Sequence, residues 1–169
     1  MFFIRQACSE DVADIASIHV KSWHAAYVGL LPESYINNKN SLTEKIKMWQ
    51  QLIVHPNVNV WIAYDVRHHH LGFIGCFAEN NNYEITTLYV LPDYQGLGIG
   101  SKLMKTSLQD ILDATLNARF YLWVLKTNAA AIRFYKKLGF IENGENSEEY
   151  YKDTKIVDIK MVRETKHLT

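Results

Sequence analysis

The sequence predicts a mixed α/β fold, one central sheet with helices on both faces. Three observations carry that prediction. Seven short stretches, most of them rich in β-branched and aromatic residues, read as strands. Stretches with apolar residues at helical spacing lie between several of them. From Tyr83 to Met104, a strand, a glycine loop and a helix follow one another directly.

Phe2 to Ala7 is the first strand, and Ser9 is placed to cap the helix after it, with Glu10 and Asp11 complementing the helix dipole. Val12, Ile15, Ala16, His19 and Trp23 mark one face of that helix. Gly29 and Pro32 break the chain, and Pro32 suits the first position of a short helix through Tyr35 and Ile36. Ser41-Leu42-Thr43-Glu44 is a capping box that opens a helix with Ile46, Trp49, Leu52 and Ile53 inward. Val58 to Asp65 and Leu71 to Glu79 are strands joined by a polar turn through Arg67-His68-His69-His70. Asn80-Asn81-Asn82 makes a second turn, since asparagine tolerates left-handed backbone.

The strand from Tyr83 ends at Pro92-Asp93. Gly96, Gly98 and Gly100 follow, then Ile99, Leu103, Leu108, Ile111 and Leu112 at helical spacing. Arg119 to Leu125 is a strand. Asn128 caps a helix that Gly139 ends. Glu142 to Glu149 and Lys155 to Arg163 are the last two strands, around a turn at Asp153. Without repeats or linkers, the chain reads as one domain over 1–169.

Composition excludes several classes. Lysine plus arginine equals aspartate plus glutamate, 18 each, which argues against a nucleic-acid partner bound by bulk charge. No apolar run is long enough to span a bilayer, and the opening residues form no signal peptide. Cys8 and Cys76 form no metal or redox pattern and read as buried thiols of a reducing compartment, the cytoplasm. Three adjacent histidines in one turn point in different directions, so His68-His69-His70 reads as an exposed turn and no metal is expected.

A glycine loop between strand and helix offers main-chain N–H groups to a phosphate. Spacing rules out two common forms. Gly96 to Gly100 is one residue short of a Walker A loop, and Lys102 follows Ser101 rather than a glycine. A dinucleotide fingerprint needs G-x-x-G after its first glycine pair and an acid about twenty residues on, and neither is present. The pattern that fits is Q-x-x-G-x-G, at Gln95, Gly98 and Gly100. With it comes Asn128-Ala129-Ala130-Ala131-Ile132-Arg133-Phe134-Tyr135-Lys136-Lys137-Leu138-Gly139-Phe140. The pair, in this order and at this distance, resembles the acetyl-CoA motifs of the GNAT superfamily of N-acyltransferases.

That resemblance implies a mostly antiparallel sheet of about seven strands, splayed at the strand before the glycine loop. It implies acetyl-CoA as co-substrate, its pyrophosphate on the amides of Gly96, Leu97, Gly98, Ile99, Gly100 and Ser101, with Gln95 opening this cofactor-binding loop. Its pantetheine and acetyl group would run along the main chain of Leu88, Tyr89 and Val90, with the Val90 amide as oxyanion donor. Tyr135 is the implied general acid and cofactor contact, Asn128 a cap that also touches the cofactor. Glu84, eleven residues before Gln95, is the implied general base, with His24 as an alternative. Trp23 and Tyr27 fall where the family builds its acceptor pocket, although core packing explains Trp23 equally. The acceptor is a small-molecule or a protein amine, and the resemblance allows a homodimer. A non-catalytic acyl-CoA sensor is the competing reading; it would need neither Glu84 nor Tyr135.

Overall fold

A computed structural model describes residues 1–164, so the last five residues of the expected 1–169 unit lie outside the description. The strands are β1 (Phe2–Gln6), β2 (Val58–Asp65), β3 (His70–Glu79), β4 (Asn82–Val90), β5 (Arg119–Leu125), β6 (Ile141–Tyr151) and β7 (Thr154–Arg163). The helices are α1 (Val12–Tyr27), α2 (Glu33–Asn38), α3 (Leu42–Leu52), α4 (Ile99–Ala114) and α5 (Ala129–Lys137). The strands form one sheet in the order β1-β2-β3-β4-β5-β7-β6.

All neighbours are antiparallel except β4 and β5. A parallel pair needs a crossover, and α4 supplies it. This pair meets at only three positions: Asn82 with Arg119, Tyr83 with Phe120, and Glu84 with Tyr121. Past Glu84 the two strands part, and the sheet opens into a cleft, as the resemblance implied. One apolar core lies between the sheet and α4, around Leu103, Met104, Phe120 and Phe140. The other lies between the sheet and α1 with α3, around Ile15, Ile18, Trp49 and Phe73.

A bulge in β4 decides which residues face which core. Gly75 pairs with Thr87 and Cys76 with Ile85, so Thr86 is an extra residue. Strand residues normally alternate between faces, and the extra residue reverses the alternation. Glu84, Thr86, Thr87 and Tyr89 therefore all face the α1–α3 side, while Ile85, Leu88 and Val90 pack toward α4. Gly75 makes room for this, since a Cβ there would lie 2.6 Å from Thr87 Oγ1 and 3.4 Å from Thr86 Oγ1.

Three local expectations are corrected. Ser9 does not cap the first helix. Ser9–Asp11 is a 3-10 turn, and the Asp11 carboxylate accepts the Cys8 amide at 2.8 Å and Arg5 at 2.7 and 2.8 Å. The Arg5 guanidinium holds that carboxyl down to about 2. Cys8 is exposed, and only Cys76 is the buried thiol expected. The last hairpin is also longer than predicted, because β6 runs from Ile141 to Tyr151 as an outer strand exposed along nearly its whole length.

His19 sits in the α1–α3 core, 4% exposed. Its Nδ1 accepts Trp49 Nε1 at 3.1 Å, and its ring stacks on Tyr89 at 5.0 Å. Burial first, and then the Lys45 charge, hold its pKa down to about 3. An unfolded chain protonates this ring near pH 6.5; the folded protein does not until far lower. The unfolded state then binds the extra proton, so stability is full above pH 6.5 and falls as pH drops below it. The slope is about 1.4 kcal/mol per pH unit, or about 2 kcal/mol by pH 5. His19→Gln is expected to flatten this stretch in urea melts at pH 7 and pH 5; an unchanged pH difference would exclude His19 as its source.

Candidate active site

The glycine loop leaves β4 through a 3-10 turn at Pro92–Tyr94. Gly96 and Gly98 have φ of 76° and 81°, the left-handed region that glycine enters without steric cost. Gly98 is the N-cap of α4, and no side chain caps this helix end. The first amide drawn into the helix is that of Lys102, to the Gly98 carbonyl at 3.0 Å. The amides of Ile99, Gly100 and Ser101 therefore point out of the helix start, which suits them to an anion. Ile99 is 1% exposed and Leu97 63% exposed; for both, the main chain rather than the side chain belongs to the loop surface. A Cβ at Gly100 would lie 3.4 Å from the Phe134 ring, so this glycine lets α5 pack against the first turn of α4. The loop and α5 thereby enclose a cavity of about 470 Å³, with Leu88 and Val90 on one wall and Phe134 and Tyr135 on another.

Antiparallel pairs alternate between those that exchange hydrogen bonds and those that do not. Leu91 donates to the Leu71 carbonyl at 2.9 Å, which fixes the phase for the register of Gly72 with Val90 and Ile74 with Leu88. The N–H and C=O of Leu88 and Val90 thus turn away from β3, toward the cleft where β5 has separated. Gln95 supports this, since its Nε2 donates to the Val90 carbonyl at 3.1 Å. Tyr89 is placed differently from its neighbours. By the same alternation its main chain belongs to the β3 ladder, and its ring lies on the opposite face against His19.

Tyr135 lines both the loop cavity and the central cleft between β4 and β5. Its ring packs edge-on against Phe134 and Phe140. Burial, with a smaller contribution from Tyr27, pushes its pKa above that of an ordinary phenol. Tyr27 and Tyr89 are shifted in the same direction, also chiefly by burial. All three line the cleft, and all three are protonated at neutral pH. Asn128 caps α5 as expected, its Oδ1 accepting the Ala131 amide at 3.1 Å. It also borders the cleft.

Glu84 lies where β4 and β5 begin to diverge, and accepts the Tyr121 hydroxyl at 3.2 Å. It lines a cavity of about 420 Å³ between α1, α3 and β4, together with Trp23, Tyr27 and Trp49. Trp23 contacts Tyr27 and Tyr35, with ring centroids 5.0 and 6.3 Å away. Tyr35 in turn meets Tyr151 and donates to Glu149, tying α2 to β6. His24 is exposed in the last turn of α1 and lines neither the cleft nor this cavity. His68 stacks on Tyr64, His69 turns to Asp65 at 3.3 Å, and His70 to Asp14 at 2.7 Å. Among the described residues no group of three potential metal ligands converges.

The three spaces adjoin and share walls. The cleft shares Leu88, Val90, Gln95, Ala131 and Tyr135 with the loop cavity, and Tyr27, Thr86, Thr87 and Tyr89 with the α1–α3 cavity. Sequence reasoning overlooked Ser22 and Thr87, which also line the cleft. The available signal for Ser22 was a polar residue on the apolar stripe of α1, one turn after His19. A separate recess, about 840 Å³, lies beside Asn82, Arg119 and Arg163 at the start of β5, and none of the glycine-loop residues lines it.

The model of the acetyltransferase (GNAT) family matches residues 12–140. An uncharacterized N-acetyltransferase of Archaeoglobus fulgidus is 32% identical over 139 residues, 78% of this chain and 88% of its own length. The fold is similar to that of the PaiA N-acetyltransferase of Thermoplasma acidophilum in complex with coenzyme A, at a TM-score of 0.79 and 22% identity over 98% of this chain and 99% of that one. It is also similar to the ribosomal-protein-S18-alanine N-acetyltransferase of Escherichia coli, at a TM-score of 0.72 and 21% identity over 97% and 94%. No helix of the described residues is long and apolar enough to cross a membrane.

Proposed function

The chain belongs to the GNAT acetyltransferase family, and from that premise we propose that it moves an acetyl group from acetyl-CoA to a primary amine by direct attack in a ternary complex. The observation that carries this reading is the adjacency of three spaces with shared walls, a cofactor side at the glycine loop, an acceptor side at Glu84 and a cleft between them. The residues fit the co-substrate. Open amides at Gly96 to Ser101 receive the pyrophosphate, and the cleft-facing main chain of Leu88 and Val90 receives the pantetheine.

The acceptor ammonium gives a proton to Glu84, directly or through a water. The amine lone pair then forms the C–N bond to the thioester carbon, and the Val90 amide receives the developing oxyanion. As the C–S bond breaks, sulfur takes the electron pair and a proton from Tyr135. The nitrogen sheds its second proton to solvent, Glu84 gives its proton to solvent, Tyr135 is reprotonated from solvent, and one proton leaves net per turnover. Trp23 and Tyr27 wall the acceptor's entry.

The test is thiol release from acetyl-CoA with 2-phenylethylamine, spermidine and an alanine-terminated peptide as acceptors. Release above the amine-free rate with at least one is expected. Stabilisation by acetyl-CoA without release would leave a sensor instead. A ligand present at about 100 times its Kd stabilises by about 2.7 kcal/mol, a rise in Tm of roughly 8 °C for a chain of this size. Gly98→Ala has open space for its Cβ, so its cost comes from φ and is about 1 kcal/mol in the unliganded protein. Most of the acetyl-CoA-induced shift should vanish in this variant; a full shift would place the pyrophosphate elsewhere.

A further inference from the structure

Two hydroxyl groups where the cleft meets the acceptor cavity have no protein partner. Ser22 is 2% exposed, and neither its Oγ nor Thr87 Oγ1 makes a hydrogen bond. Leaving a buried hydroxyl unpaired costs on the order of 1–3 kcal/mol, so most are satisfied. Ser107 in α4 shows the usual solution for a helix serine, donating to the Met104 carbonyl at 3.0 Å. Ser22 does not do this, although it stands on the inward stripe of α1 between His19 and Ala26, where an apolar residue would pack at no such cost. Thr87 lines the same cleft from the sheet, because the bulge at Thr86 turns it toward the α1 side, with its Oγ1 over Gly75. Both side chains line the cleft, and Thr87 also lines the α1–α3 cavity.

We propose that Ser22 and Thr87 position the acceptor nitrogen, each hydroxyl oxygen accepting one N–H of the entering primary amine. This rests on the transferase reading. A neutral primary amine has two N–H groups and one lone pair. With both N–H groups held, the amine cannot turn freely, and the direction of its lone pair is fixed. A secondary amine can satisfy only one of the two hydroxyls, so the pair also selects for primary amines.

The experiment compares Ser22→Ala and Thr87→Val with the wild type, using the fastest of the three acceptors named above and its N-methyl counterpart. For the primary amine, kcat/KM should fall about 10- to 100-fold in each variant, the worth of one hydrogen bond to a reacting group. The N-methyl compound should lose less, so the preference for the primary amine shrinks. Acetyl-CoA affinity by calorimetry should stay unchanged, and Tm should hold or rise, because an unpaired buried hydroxyl has been removed. Thr87→Ser should keep most of the wild-type rate. An unchanged preference and acceptor KM in both variants would overturn the proposal, and so would weakened acetyl-CoA binding, which would assign the hydroxyls to pantetheine. Failure of the wild type to release thiol with any of the three acceptors is a separate outcome; it removes the transferase reading, and this inference with it.

Discussion

Tyr135→Phe is expected to lower kcat by about 10²–10³ while acetyl-CoA binds as before, the usual worth of a positioned general acid. A thiolate leaving group needs a proton, and a phenol whose pKa is raised by burial keeps its own at neutral pH. Among the described residues no protein group hydrogen-bonds the Tyr135 hydroxyl, and its other contacts are ring packing against Phe134 and Phe140. Phenylalanine preserves that packing, so a rate loss cannot be charged to misfolding. Thiol-release kinetics with a parallel acetyl-CoA titration make the separation. A kcat within about threefold of wild type, well short of the usual general-acid effect, would strip Tyr135 of the role.

The sequence displayed the parts of this site that depend on local chain chemistry. Pro92, three alternating glycines and an apolar stripe from Ile99 spell strand, loop and helix, and those rules act over a few residues. Asn128 and Gly139 bracket α5 for the same reason, one as an N-terminal acceptor and the other by entering φ of 88°. Asn80 and Asn81 likewise both take left-handed backbone in the turn before β4. The bulge at Thr86 was not legible. No glycine or proline within β4 marks it; the glycine that makes room for it, Gly75, lies on the neighbouring strand, and the bulge arises from how β4 registers against β3. Strict alternation from Tyr83 would have set Glu84 on the face of Leu88 and Val90, in the wrong cavity. Ser9 failed as a cap for a related reason: a longer-range partner, Arg5 on β1, recruited Asp11 and set the turn instead. Ser22 interrupts the apolar stripe of α1, which the sequence does display, but Thr87 is conspicuous only by what it does not bond, which a sequence cannot display.

Glu84→Gln is expected to cost about 10²–10⁴ in kcat/KM with acetyl-CoA affinity intact, the usual worth of a general base. Glutamine has nearly the same shape, and its Oε1 can still accept from Tyr121, so the start of the cleft keeps its geometry. What it loses is the ability to take a proton from an ammonium whose pKa lies near 10.4. Glutamate is a weak base for that task in water, and its position supplies what its basicity lacks. It sits at the last paired position of β4 and β5, on the acceptor side of the bulge, beside the half-buried walls of Trp23 and Tyr27. A carboxylate that only attracts the cation would act differently from one that removes its proton. Loss of attraction raises the acceptor KM and leaves the pH dependence of kcat alone. Loss of the base lowers kcat and removes the acidic limb of the pH–rate profile, leaving a rate that climbs with the fraction of neutral amine. A Glu84→Gln variant that keeps the wild-type acidic limb would therefore move the proton transfer to another group and reduce Glu84 to an electrostatic anchor.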